Sequence, residues 1–89
     1  LWRKKRGMSD QKNPFLLNVR GHKCPIPVLR LRRCLEERAV GDYVKVIASD
    51  AMTMVDVPHF CFEAGHELCE KYQDQDDYIF LIQKCGPKE

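Results

Sequence analysis

The chain has 89 residues, 44% of them hydrophobic, and carries a formal charge of +2, which suits one small domain with a modest core. No run of 18 apolar residues is present, which excludes a membrane-spanning helix. Four of the 15 basic residues (Arg3, Lys4, Lys5 and Arg6) crowd the start, and the other 11 face 13 acidic residues, so the remainder is slightly acidic and unlike a nucleic-acid-binding body.

In chain order, residues 1–13 are polar and aperiodic and are expected to form a flexible tail. The chain begins with Leu1, and Met8-Ser9-Asp10 reads as an ordinary start, so residues 1–7 are expected to be an upstream extension. Its basic residues would suit RNA or an anionic surface if native. No apolar stretch follows them, so no secretory leader is expected. A single domain is expected over 14–85, with a short tail at 86–89.

Residues 15–20 alternate as a strand, with Phe15, Leu17 and Val19 on one face. Gly21-His22-Lys23 breaks it. A helix is predicted from Pro25 to Arg38, with Pro25 at its first position and Pro27 still inside the first turn. Val28, Leu31, Leu35 and Ala39 form its apolar stripe, Cys34 lies at the edge of that stripe, and Arg30, Arg32, Arg33, Glu36 and Glu37 cover the outer face. Tyr43 to Ala48 reads as a second strand. A second helix is predicted near Thr53, where Thr53-x-x-Asp56 resembles a capping box, although Pro58 pulls the expected start toward Asp56. Gly65 ends it. His66 to Tyr72 and Tyr78 to Lys84 are predicted strands about a polar turn at Gln73–Asp77. The order is βαβαββ, and two amphipathic helices on one face of a four-stranded mixed sheet would bury both stripes.

Five cysteines is an odd count, with no C-x-x-C pair and no zinc spacing. Reduced thiols and a cytoplasmic setting are expected, with no metal and no cofactor. The segment Gly21-His22-Lys23-Cys24-Pro25-Ile26-Pro27 places Cys24 at a helix start. There, unpaired N–H groups and the helix dipole are expected to favour the thiolate, and Lys23 to push the same way. An ordinary thiol is only about 3% ionised at pH 7, so such help would matter. Pro25 and Pro27 would hold the sulfur rigidly outside the first turn. The bland alternative is a packed, inert cysteine.

Together, the run from Leu17 to Pro27, Asp56-Val57-Pro58-His59-Phe60 and Gly65-His66-Glu67-Leu68 resemble the TusA/SirA sulfur-carrier family, over nearly all of residues 15–84. The resemblance implies a two-layer α/β sandwich of βαβαββ order and a persulfide on Cys24. It further implies a sulfur donor of the cysteine desulfurase or rhodanese-like type, and an acceptor of the DsrE type. End uses in the family include tRNA thiolation, molybdenum cofactor synthesis and dissimilatory sulfur metabolism. Such a carrier is reloaded rather than turning over alone. Asn18 and His22 depart from the family pattern, which often has Asp and an apolar residue there.

His22 is a candidate proton acceptor for Cys24, though an exposed loop histidine is the simpler reading. His59 and His66 lack cysteines at metal spacing. Cys61, Cys69 and Cys85 read as packing or surface thiols, any of which could resolve a Cys24 persulfide. Arg20, Lys23 and Arg30 are expected near the helix start, where they would dock an acidic partner. The protein itself is expected to be a monomer. The alternatives are a redox-sensing module and an interaction domain for protein or RNA.

Overall fold

A computed structural model describes residues 14–86. The predicted tail over 1–13, including the extension at 1–7, and residues 87–89 lie outside the described residues. Six elements follow in the expected order: β1 (Phe15–Asn18), α1 (Ile26–Glu36), β2 (Tyr43–Ala48), α2 (Thr53–Ala64), β3 (Glu67–Asp74) and β4 (Asp77–Gln83). The sheet order is β1-β2-β4-β3. β1 runs parallel to β2, and the other neighbours are antiparallel. This is the mixed sheet with two helices that the alternation predicts.

Val44, Val46 and Ala48 alternate into the core from β2. They sit opposite Ile82, Phe80 and Tyr78 of β4. Leu31 and Leu35 of α1 and Val57 and Cys61 of α2 close over them, and Val19 joins the same cluster. A parallel β1–β2 pair requires a crossover, which α1 supplies. The carboxyl ends of β1 and β2 therefore lie side by side. The loops that leave them meet there.

Several boundaries differ from expectation. α1 ends at Glu36, where Glu37 and Arg38 N–H groups turn back to the carbonyls of Cys34 and Leu35. Ala39 is thus outside the helix and exposed, and Pro27 and Cys34 complete the buried stripe beside a half-buried Val28. α2 starts at Thr53 with Pro58 inside it. No capping box forms: the Thr53 hydroxyl donates to the Asp50 carbonyl at 2.6 Å, and the Asp56 N–H goes to the Met52 carbonyl. Asp50 takes over the start of the helix by accepting from Met52 N–H at 3.2 Å. The five-residue polar turn contracts to Gln75-Asp76, with Gln75 at φ 56°. β3 lies at the sheet edge and is exposed along most of its length, so polar residues extend its ladder without cost to the core.

Candidate functional site at Cys24

Cys24 lies on the loop between β1 and α1 and is exposed. Three bonds fix that loop. Asn18 Oδ1 accepts from Arg20 N–H at 3.0 Å, so asparagine supplies the acceptor that an aspartate would. Gly21 N–H donates to Ser49 Oγ at 2.8 Å, and Cys24 N–H donates to Asp50 Oδ2 at 2.8 Å. Gly21 has φ +85°, a left-handed conformation that glycine adopts without strain. The Cys24–Pro25 peptide is cis, and Pro25 is the N-cap of α1.

The thiol is not held as the sequence suggests. Cys24 Sγ donates to Asp56 Oδ2 at 2.6 Å. That bond stabilises the protonated sulfur, and partial desolvation and the charges of Asp56 and Asp50 act in the same sense, so the thiol is raised above its ordinary range. The expected help from the helix N-terminus is largely absent for a structural reason. Ile26 N–H is spent on the Lys23 carbonyl, and Pro25 and Pro27 have none. Only Val28 N–H remains in the first turn. Asp50 is held below the usual carboxylate range by the Cys24 and Met52 N–H donors first, and Lys23 adds to this rather than acting on the thiol.

An open groove of about 480 Å³ runs between the helices from Cys24. Pro25, Val28, Leu29 and Phe60 give it an apolar floor, and Arg32, Asp56, His59 and Glu63 a charged rim. His22 is half-buried, its backbone N–H donates to the Val19 carbonyl, and it lines a small cleft with Gly21, Lys23, Ser49 and Asp50. Arg20 is held by Asp77 Oδ1 at 3.1 Å, while Lys23 and Arg30 stay exposed. His59 pairs with Glu63 at 3.5 Å. His66 Nδ1 accepts from Cys85 N–H at 3.1 Å, away from Cys24.

The other thiols divide by place. Cys34 and Cys61 are buried, and burial pushes Cys61 up to about 11. Cys69 and Cys85 lie toward the Gln83 end of β4, whereas Cys24 lies at the Asp77 end. Seven residues of strand separate the two ends by about 20 Å, so both thiols stand well away from Cys24 in the folded chain. Among the described residues no group of three or more His, Cys, Asp or Glu side chains could hold a metal ion, and no helix is long and apolar enough to cross a membrane.

Sequence reasoning missed Asp50 and Asp56 as partners of Cys24. They lie 26 and 32 residues away, and no local pattern connects them to it. The only signal was that Asp56 opens one of the stretches carrying the family resemblance.

The profile described as "Sulfurtransferase TusA" matches residues 16–84. The chain belongs to the TusA family. A protein named "Sulfur carrier protein TusA" from Pseudomonas entomophila is 38% identical over 77 residues, covering 86% of this chain and 96% of that protein. A second of the same name, from Pseudomonas paraeruginosa, is 39% identical over 69 residues, 78% of this chain and 87% of its own. The TusA fold recurs in the crystal structure of a SirA-like protein from Desulfitobacterium hafniense, with a TM-score of 0.70 at 22% identity. That match covers 81% of this chain and 99% of the other.

Proposed function

We propose that this TusA-family chain is a sulfur carrier that holds sulfane sulfur on Cys24 and relays it between partner proteins. The observation that carries the reading is that Cys24 is an exposed thiol opening onto a groove, with two cysteines buried and two at the far end of the sheet. The names of its relatives give that thiol its cargo. In the exchange, Cys24 sulfur attacks the outer sulfur of a donor persulfide. The new S–S bond forms as the donor's S–S bond breaks, and the donor cysteine leaves as a thiol once reprotonated. No resident cofactor or metal takes part in these steps.

The donor in this reading is a cysteine desulfurase or rhodanese-like protein, and the acceptor a DsrE-type sulfurtransferase, in the cytoplasm. tRNA thiolation, cofactor synthesis or sulfur metabolism is the end use. Residues 14–85 act as the working unit, Gly21, Pro25 and Pro27 hold the loop, and Lys23 and Arg30 remain free to meet a partner. Arg20 contributes less because Asp77 occupies it. The redox-sensor alternative is weakened by the Asp56 contact, since sensor thiols are rich in thiolate.

Incubation with a cysteine desulfurase and cysteine, followed by mass spectrometry, tests the reading. One added sulfur on the Cys24 peptide, absent in Cys24→Ser, is expected. Sulfur that fails to load, or loads as well on Cys69 or Cys85, would overturn it. Oxygen adducts in its place would return the redox module.

A further inference from the structure

The contact between Cys24 and Asp56 poses a problem for any group-transfer role. Sulfur attack needs a thiolate or a thiol ready to ionise, yet the nearest charge to Cys24 is a carboxylate that accepts its hydrogen at 2.6 Å. Asp50, bound to the Cys24 N–H, places a second carboxylate beside the loop. Among the described residues the close charged contacts join Arg20 to Asp77 and Arg33 to Glu37, with His59 beside Glu63, and neither carboxylate beside Cys24 has a cation of those residues in contact, Lys23 acting on Asp50 only at longer range. The charged and titratable groups facing this point are His22 and Lys23 on the β1–α1 loop, Asp50 on the β2–α2 loop, Arg32 on α1, and His59 and Glu63 on α2. Arg32 lies within the groove but makes no bond to Asp56.

We propose that Asp56 is a charge gate on Cys24: its carboxylate holds the thiol hydrogen until a partner sets an arginine or lysine at the mouth of the α1–α2 groove and takes Asp56 as its counter-ion. The proposal rests on Cys24 being the sulfur-bearing residue and adds the chemistry its partner must present. That partner carries a cation next to its own reactive cysteine, on a segment that seats against Val28, Leu29 and Phe60. The apolar floor strengthens the effect, because a seated segment excludes water and the charges then act through a lower dielectric.

The step balances without an outside oxidant. As the segment approaches, its cation pairs with Asp56 and the Cys24 S–H proton passes to water still present at the groove mouth. Cys24 Sγ then attacks the outer sulfur of the partner's Cys–S–SH, forming one S–S bond and breaking another. The partner cysteine leaves as a thiolate and takes a proton from water. Without a partner, the protonated sulfur reacts slowly with disulfides and peroxides.

Charged thiol reagents measure the gate directly. The full chain is treated at pH 7 with the trimethylammonium-ethyl and the sulfonatoethyl methanethiosulfonates, and modification of the Cys24 peptide is followed by mass spectrometry. The urea-unfolded chain is the reference. Two carboxylates within a few ångströms should favour the cationic reagent over the anionic one by about tenfold beyond the unfolded ratio. In Asp56→Asn that preference should fall most of the way to the unfolded ratio. Alkylation of Cys24 by neutral iodoacetamide should at the same time rise severalfold, with its pH profile displaced to lower pH. Asp56→Glu should keep the preference. A folded wild-type ratio equal to the unfolded one overturns the gate, as does an Asp56→Asn protein with an unmoved ratio and pH profile. The wild-type measurement decides the question even if Asp56→Asn fails to fold. None of these readouts uses sulfur transfer, so a charge preference without sulfur loading would refute the carrier reading and leave the gate standing.

Discussion

Two glycines offer a paired test of how the Cys24 loop is held. Gly21 has φ +85° and Gly41 φ +97°, and a Cβ built on either meets no heavy atom within 4 Å. Alanine at either position therefore suffers no clash, only the strain of a left-handed backbone, about 1–2 kcal/mol. The lower freedom of alanine in the unfolded chain returns up to about 1 kcal/mol of this. The net loss of about 1 kcal/mol should lower Tm by about 4–8 °C for a domain this size. The two sites differ in place. Gly21 bonds Ser49 three residues before Cys24, while Gly41 N–H bonds the Lys84 carbonyl at the other end of the sheet. Gly21→Ala and Gly41→Ala should melt alike by circular dichroism, but only Gly21→Ala should slow sulfur loading of Cys24. Equal slowing in both would show that loading tracks stability rather than loop geometry. No loss of Tm in either would refute the strain argument itself. Gly86→Ala, open and without positive φ, is the neutral control.

Leu31 is fully buried between α1 and the sheet, and Leu31→Ala should cost about 2–5 kcal/mol by urea unfolding, whereas Leu31→Met should cost under about 1.5 kcal/mol. His66 is held below its ordinary range, first by burial and then by Lys84, and its Nδ1 must be unprotonated to accept from Cys85 N–H. The unfolded chain therefore binds a proton at His66 more readily, so its contribution is complete above the ordinary histidine range and is lost as pH falls through the lowered folded value. The Tm of wild type should drop more steeply between pH 7 and pH 5 than that of His66→Asn, which keeps an acceptor and cannot titrate; parallel curves would contradict this. Cys61, pushed up to about 11 by burial, is about a thousandth ionised at pH 8. A short pulse of iodoacetamide should label it only when urea is present, and prompt native labelling would disprove its burial.

Much of the fold was legible because its signals are local. The alternation in Tyr43–Ala48 has one solution in a half-buried strand, and β2 occupies those residues. Gly65 ends α2 in the left-handed conformation expected of a helix-terminating glycine. The misreadings arose where composition stood in for geometry. Gln73, Asp74 and Asp77 are polar but belong to strands, because an edge ladder needs backbone partners and not apolar side chains. Pro58 lies inside α2 because the start of the helix is fixed from outside it, by Asp50 and the bonds to Met52 and Thr53.

Cys24 itself could be singled out from the proline pattern, but its ionisation could not. A helix N-terminus favours a thiolate through its free N–H groups, and the prolines that mark the motif remove or redirect most of them: Pro25 and Pro27 carry none, and the turn at Pro25 commits Ile26. The sulfur instead gives its hydrogen to a carboxylate 32 residues away, delivered by α2 once β1 and β2 lie parallel. The two features therefore divide the work. The proline-stiffened loop fixes where the sulfur is, and the neighbouring helix sets when it can react. A family that must accept sulfur from one protein and surrender it to another needs both kinds of control, because a thiol that is always ionised would exchange with any disulfide it met. On this reading, a substitution in α2 should change when Cys24 reacts without changing where it is, and one in the Gly21–Pro27 loop should do the reverse.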